Sequence, residues 1–416
     1  MRLTALAQPV SHTTTSECCQ PNDPTDEMIK YVPKEFKTIL NKYRFIDSWF
    51  WCRYSINPYN GCEFACTYCD SRSHKYHLQP EFDQLIYVKN NAATMLDNRL
   101  RRARTLLPDV VAIGGTCDAY QPAEASYNNT RQCLEVLLRY HYPVIISTKS
   151  TLILRDLDIL SRIAEDSWCA IGVTITTLDR KLAGFLEPRA PSPEKRLNVI
   201  KEIKQRRPEI QAGVNFIPIV PFLGDDERNM REVVLGAKMV GADFVLFGAG
   251  MTLRDNQASW FMRRLSDEFP HLVEEYDELY QAKYSPSEGY SGRYEPSKTY
   301  LKRIHRKMLE LCERHQLAFR IKRYIPEDFR KHNYLVAQKL LDESYLCQLL
   351  GRPWTKTFWA GQNINNLGES IEDIARIGEL RRIRNVAPSV EEYVLSLLTN
   401  KDEPSDSDVT EINGAG

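Results

Sequence analysis

Residues 54–72 read YSINPYNGCEFACTYCDSR, and this stretch decides how the rest of the chain is interpreted. Cys62, Cys66 and Cys69 lie in it at a C-x3-C-x2-C spacing, directly after a short β-like run over residues 50–55. Three thiols so close in sequence can converge on one soft metal centre, which is a common use of clustered cysteines in a reducing compartment. The spacing therefore predicts a metal centre on a loop that follows a strand.

A structural zinc site is one interpretation of these cysteines. Tetrahedral zinc normally takes four protein ligands, and no fourth cysteine follows at a matching spacing. His74 or His77 could supply the missing ligand. A zinc-stabilised nucleic-acid-binding module without catalytic activity is therefore an alternative from a different class of function.

The same stretch resembles the signature of the radical SAM enzymes, C-x3-C-x-Tyr-C with an aromatic residue before the last cysteine. The resemblance implies a [4Fe–4S] cluster with three irons held by the cysteines. The fourth iron would chelate the amino and carboxylate groups of S-adenosylmethionine (SAM). The resemblance also implies reductive cleavage of SAM, a 5′-deoxyadenosyl radical that acts on a substrate, and a flavodoxin- or ferredoxin-like electron donor.

Composition is that of an ordinary soluble globular protein, with 43% hydrophobic and 26% charged residues in a chain of 416. The net charge is zero, so the overall charge favours no particular partner. No apolar run approaches the length of a membrane span, and the N-terminus lacks the pattern of a signal peptide. Eleven cysteines in so long a chain do not resemble a secreted disulfide framework. We therefore expect a cytoplasmic protein without a membrane partner.

A repeated unit of apolar strand, polar turn and amphipathic helix begins at residue 50. The predicted strands cover residues 50–55, 110–114, 144–147, 170–174, 213–219 and 244–247. Continuous apolar strands that alternate with helices predict a parallel sheet buried on both faces. Six units fit the partial (β/α)6 barrel that the resemblance implies, so we expect an α/β fold of this type with a helical C-terminal extension. A doubly wound sheet is the alternative, but its G-x-G-x-x-G turn is missing after the first strand.

Changes in composition divide the chain into four parts. Residues 1–27 and 399–416 are polar or acidic, and we expect both segments to be disordered. The barrel is expected over residues 28–255 and a helical region over residues 256–398. Within the barrel part, residues 28–44 are predicted to form a short helix or arm beneath the barrel.

Residues 301–340 form a basic segment. They contain eleven Lys and Arg side chains against four Asp and Glu, which leaves a local net charge of +7. Clustered Lys and Arg near aromatic side chains can attract a polyanion and stack its bases, and Trp354 and Trp359 follow this segment. The segment thus makes nucleic acid a possible partner. The commoner alternative is a solvated face that is balanced by the acidic residues over 267–278.

Five further blocks resemble the spore photoproduct lyase-like branch of the radical SAM enzymes and occur in the same order. They are GGTCDAYQPAE (114–124), TKS (148–150), TITTLD (174–179), LEPRAPSPEKR (186–196) and IVPFLGD (219–225). The resemblance covers roughly residues 50–280. It favours nucleic acid as the substrate class, with a lyase-like reaction in DNA repair or modification. A radical SAM enzyme that acts on a peptide or a small metabolite is the alternative.

The resemblance also implies roles for single residues, which lie on loops at the C-terminal ends of the predicted strands, where barrels place their chemistry. Cys62, Cys66 and Cys69 would be the cluster ligands. Tyr68 would lie against the adenine of SAM, where an aromatic ring provides stacking area. Lys149 would meet the carboxylate of SAM as a point charge.

The remaining cofactor-binding candidates lie at or just after the ends of the second and fourth predicted strands. Gly114, Gly115 and Thr116 occupy the segment that would approach the amino group of SAM, where glycine lets the backbone come close to a ligand. Asp118 is either a further partner of that amino group or a turn residue. Thr174 would place a hydroxyl near SAM.

The roles of Arg189 and Cys117 have two interpretations each. Arg189 would either reach into the barrel mouth or pair with Glu187.

Photoproduct lyases use a cysteine on the second strand as a hydrogen donor and carry a tyrosine directly after the last cluster cysteine. In this sequence Gly115 and Asp70 take those positions. Cys117 lies two residues further on, so it is either the hydrogen donor or a small buried apolar residue.

Overall fold

The computed structural model describes residues 29–399 of the chain. The two segments that we expect to be disordered lie outside the described residues, except for Thr399, which ends the last helix. In chain order the strands are β1 (Lys30–Lys34), β2 (Asn41–Asp47), β3 (Cys52–Ile56), β4 (Tyr59–Asn60), β5 (Leu85–Lys89), β6 (Val111–Ile113), β7 (Val144–Thr148), β8 (Cys169–Thr174), β9 (Gln211–Ile219), β10 (Val245–Ala249), β11 (Lys283–Ser285) and β12 (Gly289–Ser291). The helices are α1 (Ala92–Arg101), α2 (Ala123–Tyr127), α3 (Asn129–Arg139), α4 (Leu157–Asp166), α5 (Arg180–Leu186), α6 (Pro193–Arg206), α7 (Glu227–Met239), α8 (Asp255–Glu268), α9 (Val273–Leu279), α10 (Lys298–Arg314), α11 (Lys331–Leu349), α12 (Thr355–Asn365), α13 (Ile371–Arg376) and α14 (Pro388–Thr399).

The main sheet has seven strands in the order β10-β9-β8-β7-β6-β3-β2 and curls into a half-barrel. Strands β3, β6, β7, β8, β9 and β10 are parallel to one another, and only the edge strand β2 is antiparallel to its neighbour. These six parallel strands are the six that the sequence predicts. The expected partial barrel with a helical extension is therefore confirmed.

Burial on both faces explains why these strands read as continuous apolar runs. All five residues of β3 and all six of β8 are buried. Side chains such as Val111, Ile146 and Val214 point outward and pack against the surrounding helices in the largest core cluster. Tyr300 and Ile304 of α10 belong to the same cluster, so the core continues from the barrel into the C-terminal region.

The lower part of the concave face is covered by an apolar cluster, which we call the floor. It combines residues of the barrel with residues of the C-terminal region, namely Trp51, Ile145, Ala170, Leu246, Ile321 and Leu341. The indole of Trp51 donates a hydrogen bond of 2.9 Å to the carbonyl of Ile321. A side chain at Gly248 would meet the ring of Trp49 at 3.2 Å, so that ring lies against the middle of β10. The C-terminal region thus fills the barrel from below.

The predicted helix or arm over residues 28–44 is wrong in its secondary structure. Residues there form β1 and the start of β2. Strand β1 pairs in parallel with β5, and β5 pairs with β4 in a small sheet of three strands. Of the twelve residues in β1 and β2, only Ile46 is fully buried, because both are edge strands. Edge strands are held mainly by backbone hydrogen bonds, so they leave little apolar pattern in the sequence.

The C-terminal region is helical over most of its length, with α8 to α14 in the described part of residues 256–399. The sequence did not predict the hairpin of β11 and β12, which is short and half-exposed. None of the helices in residues 29–399 is long and apolar enough to cross a membrane.

Candidate active site

Residues 57–73, which we call the cysteine loop, follow β3 and contain the three clustered cysteines. Cys66 is buried, and Cys62 and Cys69 are half-buried. Cys66 and Tyr68 belong to one apolar cluster, and the other two cysteines pack against it. The structure therefore places the three cysteines around one apolar cluster, on the loop that follows the first barrel strand.

A close contact with the small sheet fixes where the cysteine loop begins. Gly61 has a φ of +107°, and a side chain there would lie 2.7 Å from the carbonyl oxygens of Phe82 and Leu85. The next residue, Cys62, donates its backbone N–H to the same Phe82 carbonyl at 2.8 Å. Only glycine fits both this backbone conformation and this approach. The position of Cys62 is thus set by the backbone and not by its own side chain.

The middle of the cysteine loop is anchored to the end of α5. Thr67 donates its backbone N–H to the carbonyl of Leu186 at 2.9 Å and its hydroxyl to the carbonyl of Phe185 at 2.5 Å. Tyr68 donates its hydroxyl to the carboxylate of Glu187 at 2.5 Å. These three bonds hold the segment between Cys66 and Cys69 against the loop that follows the fourth barrel strand.

A buried ion pair stands behind Tyr68. The carboxylate of Glu187 lies 2.6 Å from the guanidinium of Arg196, and their side chains are 0% and 1% exposed. Arg196 also donates to the carbonyl of Thr174 at 2.7 Å, at the end of β8. Burial alone would raise the pKa of Glu187, but the positive charges of Arg196 and Lys149 outweigh it, so the pKa is lowered and the group is ionised.

The end of the cysteine loop is anchored by Asp70, the residue directly after Cys69. Its carboxylate accepts two hydrogen bonds of 2.8 Å from Arg254, one of 2.9 Å from Thr252 and one of 2.6 Å from Tyr76. The tyrosine that the resemblance leads one to expect at this position is thus replaced by an acidic anchor. It ties the cysteine loop to the segment that follows β10.

Lys149, at the end of β7, lies beside the cysteine loop as predicted. Its ammonium nitrogen is 5.6 Å from the centre of the Tyr68 ring. Burial alone would lower the pKa of Lys149, but Cys66, Glu187 and Asp118 around it raise the pKa above its usual value. A fixed positive charge therefore stands in the barrel mouth next to the cysteines.

Asp118 has the turn role that the sequence left open. One carboxylate oxygen accepts hydrogen bonds from the Thr148 hydroxyl at 2.8 Å and the Tyr120 N–H at 2.9 Å. The other accepts the backbone N–H of Lys149 at 2.7 Å. Burial raises the pKa of Asp118. Its carboxylate thus connects the segment after β6 to the end of β7, and its bond to the Lys149 N–H fixes the backbone from which the Lys149 side chain extends.

The segment after β6 packs tightly against β7 at Gly114 and faces open space at Gly115. Gly114 has a φ of +94°, and a side chain there would lie 2.5 Å from the carbonyl oxygen of Ser147. Gly115 is exposed, and a side chain there would meet no atom within 4 Å. Thr116 accepts a hydrogen bond from Ser71 of the cysteine loop at 2.8 Å. This segment can therefore receive a ligand between the cysteine loop and the sheet.

Cys117 packs into the body of the protein. It lies in an apolar cluster with Ile86 and Val88 of β5, and its thiol donates to the carbonyl of Tyr59 at 3.2 Å. Burial raises the pKa of the Cys117 thiol to about 12. These contacts match its interpretation as a small buried residue, and the hydrogen-donor role stays a prediction.

Arg189 lies at the surface. It is exposed and donates to the carbonyl of Asp83 at 3.1 Å. Of its two interpretations, pairing with Glu187 is not seen, because Arg196 binds that carboxylate, and the role of Arg189 in the barrel mouth stays a prediction. Neither Arg196 nor Arg254 was singled out from the sequence, although Arg196 lies in the block LEPRAPSPEKR.

The donor set of the cysteine loop fits an iron–sulfur cluster. Thiolates are the usual protein ligands of such clusters, and each of them binds a different iron. Within residues 29–399, no three His, Cys, Asp or Glu side chains converge on one point that could hold a single metal ion. His74 and His77, the candidate zinc ligands, are exposed.

The basic segment, residues 301–340, does not form one face. Arg323 and Arg330 are buried, and Arg320 is half-buried over the ring of Trp51 at 4.5 Å. Trp359, a predicted stacking residue that lies beyond the segment on α12, packs edge-on against Phe45 at 5.1 Å and is 38% exposed. Part of the segment is therefore structural.

The remainder of the segment forms an exposed face on α10. Lys302, Arg303 and Arg306 are exposed and line a shallow groove of about 440 Å³ together with Lys307. Lys307 is paired with Glu227 at 2.7 Å. We call the exposed residues 302, 303 and 306 the basic face.

Comparisons with known proteins agree with this site. Residues 56–234 match the Radical SAM superfamily. An uncharacterised protein of Mycobacterium tuberculosis is 33% identical over 233 residues, which cover 55% of this chain and 67% of that protein. An uncharacterised protein of Methanocaldococcus jannaschii is 28% identical over 231 residues, which cover 55% and 78%.

The fold is similar to a solved spore photoproduct lyase variant with bound AdoMet and dinucleoside spore photoproduct. The TM-score is 0.51 at 16% identity, and the match covers 68% of this chain and 79% of that one. A match to another variant of that lyase has a TM-score of 0.52. The chain is therefore a member of the radical SAM superfamily of enzymes, which implies an iron–sulfur cluster and SAM as its cofactors.

Proposed function

We propose that this chain is a radical SAM enzyme that acts on nucleic acid, with Cys62, Cys66 and Cys69 as the ligands of a [4Fe–4S] cluster. The observation that carries the SAM chemistry of this proposal is the position of Lys149, a cation next to Tyr68 and Cys66 in the barrel mouth. When bound, the cluster and SAM supply a 5′-deoxyadenosyl radical that removes a hydrogen atom from a substrate. A one-electron donor of the flavodoxin or ferredoxin type is part of the proposal.

In this proposal the residues of the mouth bind and orient SAM. Lys149 binds the carboxylate of SAM, and Asp118 holds the backbone from which Lys149 extends. Tyr68 presents its ring to the adenine and is fixed by its bond to Glu187. Thr174 lies at the end of the next strand, where Arg196 holds its carbonyl.

The substrate class rests on the basic face of α10. This helix begins at the rim of the mouth, because Tyr300 in its first turn donates to Asp225 in the loop after β9 at 2.8 Å. The basic face starts two residues further along the helix, at Lys302. The negative charges of a phosphate backbone that crosses the rim could therefore be neutralised by the side chains of the basic face. The spore photoproduct lyase that shares this fold was solved with bound dinucleoside spore photoproduct, which also supports nucleic acid over a peptide or a small metabolite.

The first experiment tests the chemistry. Protein reconstituted anaerobically with iron and sulfide should bind SAM and, with dithionite, release 5′-deoxyadenosine. A protein that assembles no iron–sulfur cluster would refute the proposal.

The second experiment tests the substrate class by titrating binding of single- and double-stranded DNA and RNA against salt. Replacing Lys302, Arg303 and Arg306 together by Gln should flatten the dependence of log affinity on log salt by about two to three units. Replacing the exposed Lys201 of α6 and Arg207, the residue that follows α6, is the control and should leave the slope almost unchanged, because neither residue lines the groove on α10. Equal, feeble binding by all three proteins would favour a peptide or metabolite substrate.

A further inference from the structure

Polar side chains lie on the concave face of the half-barrel above the floor, outside the SAM site proposed above. Ser55 of β3 is buried and accepts a hydrogen bond of 2.9 Å from the hydroxyl of Tyr43, whose own side chain is exposed on the edge strand β2. Asn215 of β9 donates its amide to Ser147 of β7 at 3.2 Å. Polar groups in the interior of a barrel are costly unless they have partners, so their presence needs an explanation.

The concave face between the two pairs is open. Ala112 and Ser147 are each partly exposed, although both lie on central strands of the sheet. Their strand neighbours Val111 and Ile146 point outward and are completely buried under the helices. The exposed area must therefore lie on the concave side. Ala112 and the nearby Gly114 give this space a flat base of small residues.

Gly172 is required for the Asn215 side chain to reach Ser147. Strand β8 lies between β7 and β9, and a side chain at Gly172 would lie 2.3 to 2.6 Å from the amide atoms of Asn215. The glycine thus lets the amide lie flat across the intervening strand. The position of the Asn215 side chain therefore depends on the absence of a side chain at residue 172.

The pair formed by Ser147 and Asn215 has unused hydrogen-bonding capacity. Asn215 is 3% exposed, and its amide oxygen has no hydrogen-bond partner among the described residues. The Ser147 hydroxyl accepts the bond from Asn215, so its own proton can be donated elsewhere. If the amide is turned over, the pair still offers one donor and one acceptor. An orphaned acceptor at this depth is expensive unless a ligand satisfies it.

We propose that the Ser147–Asn215 pair recognises the substrate through an amide edge in which N–H and C=O are adjacent. Such an edge would donate to the Asn215 oxygen and accept from the Ser147 hydroxyl at the same time. Nucleobases that carry a lactam or imide, such as uracil, thymine and guanine, present this edge on a flat ring, which suits the flat base of the space. This inference rests on the proposed function, because it names the part of a nucleic acid that enters the barrel.

The test compares 2′-deoxyuridine with its N3-methyl derivative, which lacks the N–H. Binding is measured by calorimetry or ligand-observed NMR on the full chain with its reconstituted cluster, with and without SAM. We expect 2′-deoxyuridine to bind and N3-methylation to weaken binding about tenfold, as the loss of a buried hydrogen bond implies. Gly172→Ala should weaken binding of 2′-deoxyuridine to a similar extent, because it displaces the Asn215 amide.

Gly184→Ala is the matched control, because a side chain at Gly184 would meet no atom within 4 Å. If Gly172→Ala does not fold, Ser147→Ala removes the donor without adding an atom and should give the same loss. Equal affinity for the two nucleosides, no detectable binding of either, or unchanged binding in the folded variants would overturn the inference. SAM affinity and iron content of the same samples report on the proposed function separately, so the two failures can be told apart.

Discussion

Replacing Glu187 by Gln should destabilise the folded protein strongly, because the substitution leaves the charge of Arg196 buried without a partner. Glutamine has nearly the same shape and can still accept the hydrogen bond of Tyr68. The change therefore removes a charge and little else. The distance of 2.6 Å and the almost complete burial of both side chains make this the least hydrated ion pair among the described residues.

The expected magnitude follows from this burial. Removing one partner of a buried ion pair typically costs about 3–5 kcal/mol, whereas an exposed pair contributes about 0–1 kcal/mol. Arg228 and Glu232 form an exposed pair on α7 at 2.8 Å, with side chains 81% and 37% exposed. Glu232→Gln is therefore the matched control and should cost less than about 1 kcal/mol.

Urea unfolding of wild type and both variants at pH 7, followed by circular dichroism, measures the two costs. The double variant Glu187→Gln/Arg196→Met should recover part of the loss, because it removes both buried charges. The pKa of Glu187 is lowered in the folded state, so its contribution is present above the unfolded pKa and is lost as the pH falls through the folded pKa. The gap between wild type and Glu187→Gln should accordingly narrow below about pH 4.5. A cost for Glu187→Gln no larger than that for Glu232→Gln would refute the reasoning.

Three other predictions concern the cofactors and pH. Replacing Cys62, Cys66 or Cys69 by Ala should abolish the brown colour of the reconstituted protein, as its visible spectrum and iron content would show; a fully coloured variant would remove that cysteine from the ligand set. Lys149→Ala should weaken SAM binding about ten- to a hundredfold in equilibrium dialysis while the cluster still assembles, because one charged hydrogen bond is lost. Unchanged affinity would show that Lys149 does not bind the carboxylate of SAM. Burial lowers the pKa of His305 to about 4, so the stability that depends on its neutral form is present above about pH 6.5 and is lost as the pH falls towards 4. Wild type should therefore lose more stability over this interval than His305→Gln, and parallel losses would argue against a buried neutral histidine.

The sequence was most informative where the chain is buried on both sides. All six barrel strands could be predicted, because a parallel strand that is covered on both faces must be apolar on each of them. Strand β1 could not, since its polar and charged side chains face solvent and backbone bonds to β5 hold it. The same reasoning explains why the hairpin of β11 and β12 was missed.

For the site, the spacing of the cysteines and the resemblance to photoproduct lyases pointed to the cysteine loop and to Lys149. The two lie side by side because loops after parallel strands meet at one end of a barrel. The ion pair of Glu187 and Arg196 was not predicted, since charged residues are common and only burial distinguishes this pair. The basic segment shows the converse. Arg323 counts as one positive charge in the sequence, yet it is buried over Trp51 and donates to a backbone carbonyl.

The composition of the floor has a consequence for how the protein is made. The last barrel strand ends at Ala249, but Ile321 and Leu341, which cover the concave side, leave the ribosome about 70 and 90 residues later. For that interval the nascent barrel presents its inner apolar side chains to water. Chains of this kind depend on rapid completion or on chaperones that bind exposed apolar surface. We therefore expect a stop codon between residues 250 and 340 to yield aggregated protein and not a smaller soluble enzyme.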